Sequence, residues 1–254
     1  MPFLCEIPYT PAMRYIPWSV YLRIFLRTYL VGAAFTLRGL QNVGFIYALE
    51  PGLSAIHTQP ASLRQARSRY VRHHNCHTFW TPLIAGMFLH AEDAIAANRM
   101  TVESFMGIKD TATYTFSALG DSVIGGSMLV SWALLTTLLL ITGNIPAAAG
   151  FTLALLILLQ LCRLFLFAFG LRYGLKALFQ IRRFNLINWG DYFKIGNAAL
   201  LLLIFIHCAP QNRHPLEWVS FIGCAVLAAW LVARLHVPRT VLAWLAVMVL
   251  CFIA

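Results

Sequence analysis

The sequence is short of charge. Only 11% of its 254 residues are Asp, Glu, Lys or Arg, and 9 are acidic. A soluble domain carries about a quarter charged residues, so this composition excludes an ordinary water-soluble globule. Cysteine is scattered: Cys5, Cys76, Cys162, Cys208, Cys224 and Cys251 form no Cys-x-x-Cys pair. That pattern argues for reduced packing residues and against a disulfide framework. No secretory signal is visible, because Pro8, Pro11, Pro17 and arginines interrupt the first apolar stretch. A His-Glu-x-x-His helix, a serine elbow, a phosphate-binding loop and a dinucleotide loop are all missing. No nucleic-acid-binding signature accompanies the basic charge, and there is no tandem repeat or low-complexity tract.

What is present belongs in a membrane. The chain is 60% hydrophobic with a net charge of +10 and a mean hydropathy of +0.73. In such a chain, excess Lys and Arg mark cytoplasmic loops and contact with anionic lipid. Residues 19–36 are apolar, with Arg23 and Arg27 on one helical face, as expected of an interfacial helix or of a short span with snorkelling arginines. Residues 63–77 read as a solvated basic helix. Residues 79–98 and 101–118 read as two helices joined by a turn, a re-entrant hairpin entering the membrane part way. Five runs of spanning character follow, at 123–142, 147–170, 195–209, 218–233 and 240–254. The expected fold is an all-α integral membrane protein with a basic interfacial region at 1–78, the hairpin at 79–122 and transmembrane helices at 123–254.

The positive-inside rule orients it. Ten of the 19 Lys and Arg residues precede Val123, and five lie between Arg172 and Lys194. This puts the N-terminus in the cytoplasm and the turn at Gly143-Asn144-Ile145-Pro146 outside, together with the C-terminus.

The candidate functional residues are ionisable groups in apolar or small-residue settings: Glu92, Lys109 and Asp121. Glu92 and Asp93 end an apolar helix, where acids oppose the helix dipole. Lys109 and Asp121 are joined by small and hydroxylated residues. Asp121 reads either as the N-cap of a helix starting at Gly120-Asp121-Ser122 or as part of a polar path or partner interface. Lys109 is expected to pair with Glu92 or Asp121. His73, His74, Cys76, His77, His90, Glu92 and Asp93 do not form a convincing metal set, since adjacent histidines do not ligate easily from one helix face. Nothing in the sequence lowers the Cys76 pKa as a nucleophile requires. No cofactor is expected.

The order of these residues resembles the membrane subunit IID of mannose/fructose/sorbose-type sugar phosphotransferase permeases, over roughly residues 36–175. Arg38, Gln41 and Gly44, then Glu50-Pro51, resemble the family's early Arg-x-x-Gln-x-x-Gly and Pro pattern. His74 through Pro82 stands where the family has His and Phe-Phe-Asn-Thr-x-Pro. Gly86 with Glu92 and Asp93 is similar to its Gly and Glu-Glu segment, and Lys109 with Gly120-Asp121 to its Lys-to-Gly-Asp segment. The departures are Phe79-Trp80 in place of Asn-Thr, Thr113-Tyr114-Thr115 in place of Met-Gly-Pro, and Ala118 without its glycine.

The resemblance implies a multi-pass protein of the bacterial cytoplasmic membrane that pairs with a IIC-like membrane subunit in a hetero-oligomer. In that scheme soluble IIA and IIB proteins phosphorylate the translocated sugar. The chain would be a non-catalytic subunit, unphosphorylated itself, with Glu92, Lys109 and Asp121 in the translocation region. The bulky departures leave a second reading open, a IID-derived docking or regulatory protein that no longer transports. A third is a membrane enzyme using the His, Glu and Asp cluster.

Overall fold

The computed structural model describes residues 16–208 and Gly223. Met1–Ile204 forms one compact unit and Phe205–Ala254 another; the first carries every contact below. Among the described residues the only non-helical pairings are isolated bridges, Thr36 with Leu40 and Leu40 with His74. The helices are α1 (Trp18–Arg27), α2 (Asn42–Ile56), α3 (Pro60–Ser68), α4 (Thr81–Ala96), α5 (Val102–Leu119), α6 (Leu129–Ile141), α7 (Ile145–Tyr173), α8 (Ala177–Arg182) and α9 (Leu186–Cys208). A 3-10 turn (Thr28–Ala33) extends α1, and a π-helical segment (Gly120–Met128) joins α5 to α6.

Local chemistry accounts for the boundaries. Thr101 caps α5 by accepting from the Ser104 amide at 3.2 Å, and Asn144 caps α7 by accepting from the Ala147 amide at 3.3 Å. Pro60, Pro82 and Pro146 lie in first turns, where a missing N–H costs nothing. Gly174, at φ +53°, ends α7.

Among the described residues, three stretches are long and apolar enough to cross a membrane: Val102–Ile141, Ile145–Arg182 and Leu186–Cys208. In the first, the helix runs without a break through residue 122. Gly120-Asp121-Ser122 does not start a helix; the backbone passes through it in π-helical winding, and Asp121 caps nothing. The extra residue per turn is accommodated as the Ser127 hydroxyl donates to the Ser122 carbonyl at 2.8 Å. Apart from Gly223, the expected runs 218–233 and 240–254 lie outside the described residues.

Two close helix approaches set the architecture. A Cβ on Gly86 would lie 2.5 Å from the Phe167 carbonyl oxygen, and one on Gly170 would lie 2.4 Å from that of Leu83. The α4 and α7 backbones therefore meet glycine to glycine. A Cβ on Gly44 would lie 2.2 Å from the Val31 carbonyl oxygen, where the 3-10 turn crosses α2. Around these crossings Phe45, Leu49, Leu53, Leu83, Ile84, Met87, Phe88 and Phe105 form a fully buried core. Pro51 lies within α2 and supplies no N–H to the Tyr47 carbonyl. Arg27 fills the vacancy, donating to that oxygen at 3.0 Å with its guanidinium 4.3 Å from the Tyr47 ring centroid.

Candidate functional site

Glu92 sits on the inward face of α4 and is completely buried. Its Oε1 accepts from Arg69 Nε at 2.9 Å and from the Tyr70 hydroxyl at 2.8 Å. Its Oε2 pairs with His57 Nε2 at 2.9 Å and accepts from Arg69 Nη2. A carboxylate has about four lone-pair sites, and all are taken. Burial raises the carboxyl pKa, but the bonds from His57 and Arg69 and the Arg69 charge outweigh it and hold Glu92 below its ordinary 4.5. The network ties the end of α2 (His57) and the end of α3 (Arg69, Tyr70) to α4. Neighbouring Asp93 pairs with Arg99 at 2.6 Å.

Lys109 is only 2% exposed, yet its ammonium pairs with the adjacent Asp110 at 2.7 Å. The expected pairing with Glu92 or Asp121 is not present. Glu92 has no free acceptor. Asp121 is twelve residues along the same helix, which puts it about 18 Å away along the axis and about a third of a turn around it. Lys109 belongs to the inward face with Phe105, Ala112, Thr113 and Phe116, whereas Asp121 is exposed.

The outward face of this helix is polar and small. Thr111, Tyr114, Thr115, Ala118, Asp121 and Ser122 are exposed, and the Asp110 side chain is 46% exposed. Of the small and hydroxylated residues between Lys109 and Asp121, Ala112 and Thr113 are buried while Thr111, Thr115 and Ala118 are exposed.

The loop before α4 backs this helix. Gln41 Oε1 accepts from the Cys76 amide at 3.0 Å, and the Gln41 amide donates to the His74 carbonyl at 2.9 Å. His74 stacks on Phe45 with centroids 3.9 Å apart. Its pKa is pushed down to about 3, first by burial and then by the Lys109 charge. His77 packs on Gly120, where a Cβ would fall 2.1 Å from the His77 Cβ. The next carbonyl, Thr78, accepts from Arg163 Nη1 of α7 at 3.0 Å. Burial raises the Cys76 pKa, away from the thiolate form that a nucleophile needs. Among the described residues no group of three His, Cys, Asp or Glu side chains is placed to hold a metal.

The family model for the mannose/fructose/sorbose family IID component of the phosphotransferase system matches residues 18–190. The chain belongs to this IID family. The fructose permease IID component of Bacillus subtilis (strain 168) is 25% identical over 152 residues, covering 59% of this chain and 54% of that relative. The chain thus matches about half the length of that curated relative. A solved membrane protein matches with a TM-score of 0.64 at 19% identity, over 79% of this chain and 73% of that one. A cryo-EM structure of the mannose transporter ManYZ in complex with a microcin matches with a TM-score of 0.53 at 17% identity, over 93% and 96%. The fold is therefore that of a IID-type membrane protein. Gln41, Gly44, Gly86 and Glu92, which carry the resemblance in the sequence, are structural ties in this chain.

Proposed function

We propose that this chain is the IID-type subunit of a phosphotransferase-type sugar permease, working with a IIC-like membrane subunit in carbohydrate translocation coupled to phosphorylation by soluble IIA and IIB proteins. One observation carries the reading: a polar face of hydroxylated residues, with Asp110 and Asp121, is exposed where α5 leads into the apolar, spanning part of the same helical stretch. Polar groups beside a span suit a partner helix or the mouth of a wet path. Asp121 and the Lys109–Asp110 pair are the residues assigned to the translocation region. Glu92 supports them by holding α2 and α3 against α4. The chain sits in the bacterial cytoplasmic membrane with its N-terminus inside, as part of a hetero-oligomer, and its basic N-terminal region lies against anionic lipid.

The test is purification of the tagged chain from its host membrane in mild detergent. A IIC-like subunit is expected in stoichiometric yield, and Thr115→Trp on the outward face should deplete it. A native chain that purifies alone would overturn the proposal. The docking or regulatory reading draws on Trp80, buried against Phe116 at 5.2 Å between centroids, and on exposed Tyr114. It predicts that the partner is retained while sugar uptake survives deletion of this chain.

A further inference from the structure

Helix α1 and its 3-10 extension have two unlike faces. The inner face clamps α7. Phe25 lies 5.8 Å from Phe167 between ring centroids, the Tyr29 hydroxyl bonds Gln160, and the Arg163 guanidinium sits 4.2 Å from the Tyr29 ring centroid. The outer face is apolar and uncovered: Trp18 is 70% exposed, and Leu22, Leu26 and Leu30 follow at four-residue spacing, each near half exposed. Through α1 that spacing makes one continuous stripe, and Leu30 stands exposed in the 3-10 turn beyond it. Phe35 and Leu37 extend the uncovered apolar surface past the 3-10 turn.

The contact with α7 places this stripe along the span. From Ile145 to Cys162, α7 carries no charged residue; Arg163 is the first. At 1.5 Å per residue that run measures about 27 Å, close to the roughly 30 Å hydrocarbon thickness. Tyr29 touches α7 at the end of the run, beside the buried Arg163, so α1 packs against one end of the charge-free run of a spanning helix. Charge identifies the lipid headgroups that suit it. Between Glu6 and Glu50 the chain has no acid, while Arg14, Arg23, Arg27 and Arg38 lie there. Arg23 and Arg38 are exposed. Arg27 is engaged with Tyr47, leaving the other two available.

We infer that α1 is a lipid-binding element: Trp18, Leu22, Leu26 and Leu30 enter the acyl boundary of the bilayer, and Arg23 and Arg38 bind the phosphates of anionic lipids. This rests on the membrane location of the chain and not on sugar transport.

The test uses the full chain reconstituted into phosphatidylcholine vesicles with and without phosphatidylglycerol. A genetically encoded fluorescent amino acid replaces Leu26, Leu156 on the apolar run of α7, or exposed Gln65 on α3. Replacement at Leu22 serves as a second probe should position 26 disturb folding. Bromine on the acyl chains is expected to quench the probes at 26 and 156, and aqueous iodide the probe at 65. Each basic residue at an anionic surface is worth about 1 kcal/mol, so Arg23→Gln and Arg38→Gln should each lower the preference for phosphatidylglycerol about fivefold. A probe at 26 that iodide reaches as it reaches 65 overturns the inference. So does one shielded from both quenchers, which would mean that protein covers the stripe, and so does an unchanged lipid preference. Failure of bromine to quench the probe at 156 removes the span of α7 and the inference with it.

Discussion

Glu92 and Lys109 show that a buried charge can be legible in a sequence while its partners are not. Both stand in apolar surroundings, which the sequence revealed. The partners of Glu92 (His57, Arg69 and Tyr70) come from other helices 22 to 35 residues away. Only packing brings them together, so no local pattern announced them. Removing one member of a buried ion network leaves its partner uncompensated, at a cost of about 3–5 kcal/mol. Glu92→Ala should therefore lower the unfolding temperature sharply in detergent, with part of the loss recovered when Arg69→Met is added. Glu92→Gln and Lys109→Met share no partner, and their effects should add to within about 0.5 kcal/mol; a larger coupling in a double-mutant cycle would contradict the partner assignment. His74 gives a pH dependence. Its folded pKa lies below its ordinary one, so its contribution to stability is present above pH 6.5 and is lost as pH falls toward about 3. Glu92, also lowered, adds to the loss below 4.5. Thermal unfolding across that range should show the decline, and His74→Phe should make it shallower between pH 6.5 and 4.5.

The helices were largely legible. Apolar run length located α6, α7 and α9, and turn chemistry at Asn98 and Gly143-Asn144 separated the arms. The passage at Gly120–Met128 was not legible, because Gly-Asp-Ser before an apolar run has the composition of a helix start. π-helical winding depends on backbone hydrogen bonding that side-chain pattern does not encode. The glycines at the α4–α7 crossing make the packing testable. A valine at Gly86 would drive side-chain atoms into the α7 backbone, and overpacking of this kind costs about 1–3 kcal/mol or more. Gly107, in α5, has nothing within 4 Å of its would-be Cβ. Gly107→Ala should stabilise the helix by about 0.5–1 kcal/mol. Opposite shifts in unfolding temperature are expected for Gly86→Val and Gly107→Ala, and a neutral Gly86→Val would mean that α4 and α7 do not meet there.

Across the molecule, charge marks a boundary. Tyr29, Thr78 and Arg163 are in contact, Gly120 packs against the neighbouring His77, and the uncharged runs of α6 and α7 lie to one side. With the N-terminus inside, a cysteine reporter at Asn144 should react with an impermeant reagent added to intact cells, and one at Gln180 only after the membrane is opened. Labelling of Gln180 from outside would reverse the orientation. The central claim is that the outward polar face of α5 serves sugar translocation with a partner subunit. It is tested most directly by uptake of labelled mannose, fructose and sorbose in host cells lacking this chain and re-supplied with the native protein or with Asp121→Leu. The account predicts that uptake of at least one of these sugars disappears on deletion, returns with the native chain and stays absent with Asp121→Leu although the protein reaches the membrane. Undiminished uptake of all three sugars in the deletion strain would contradict it.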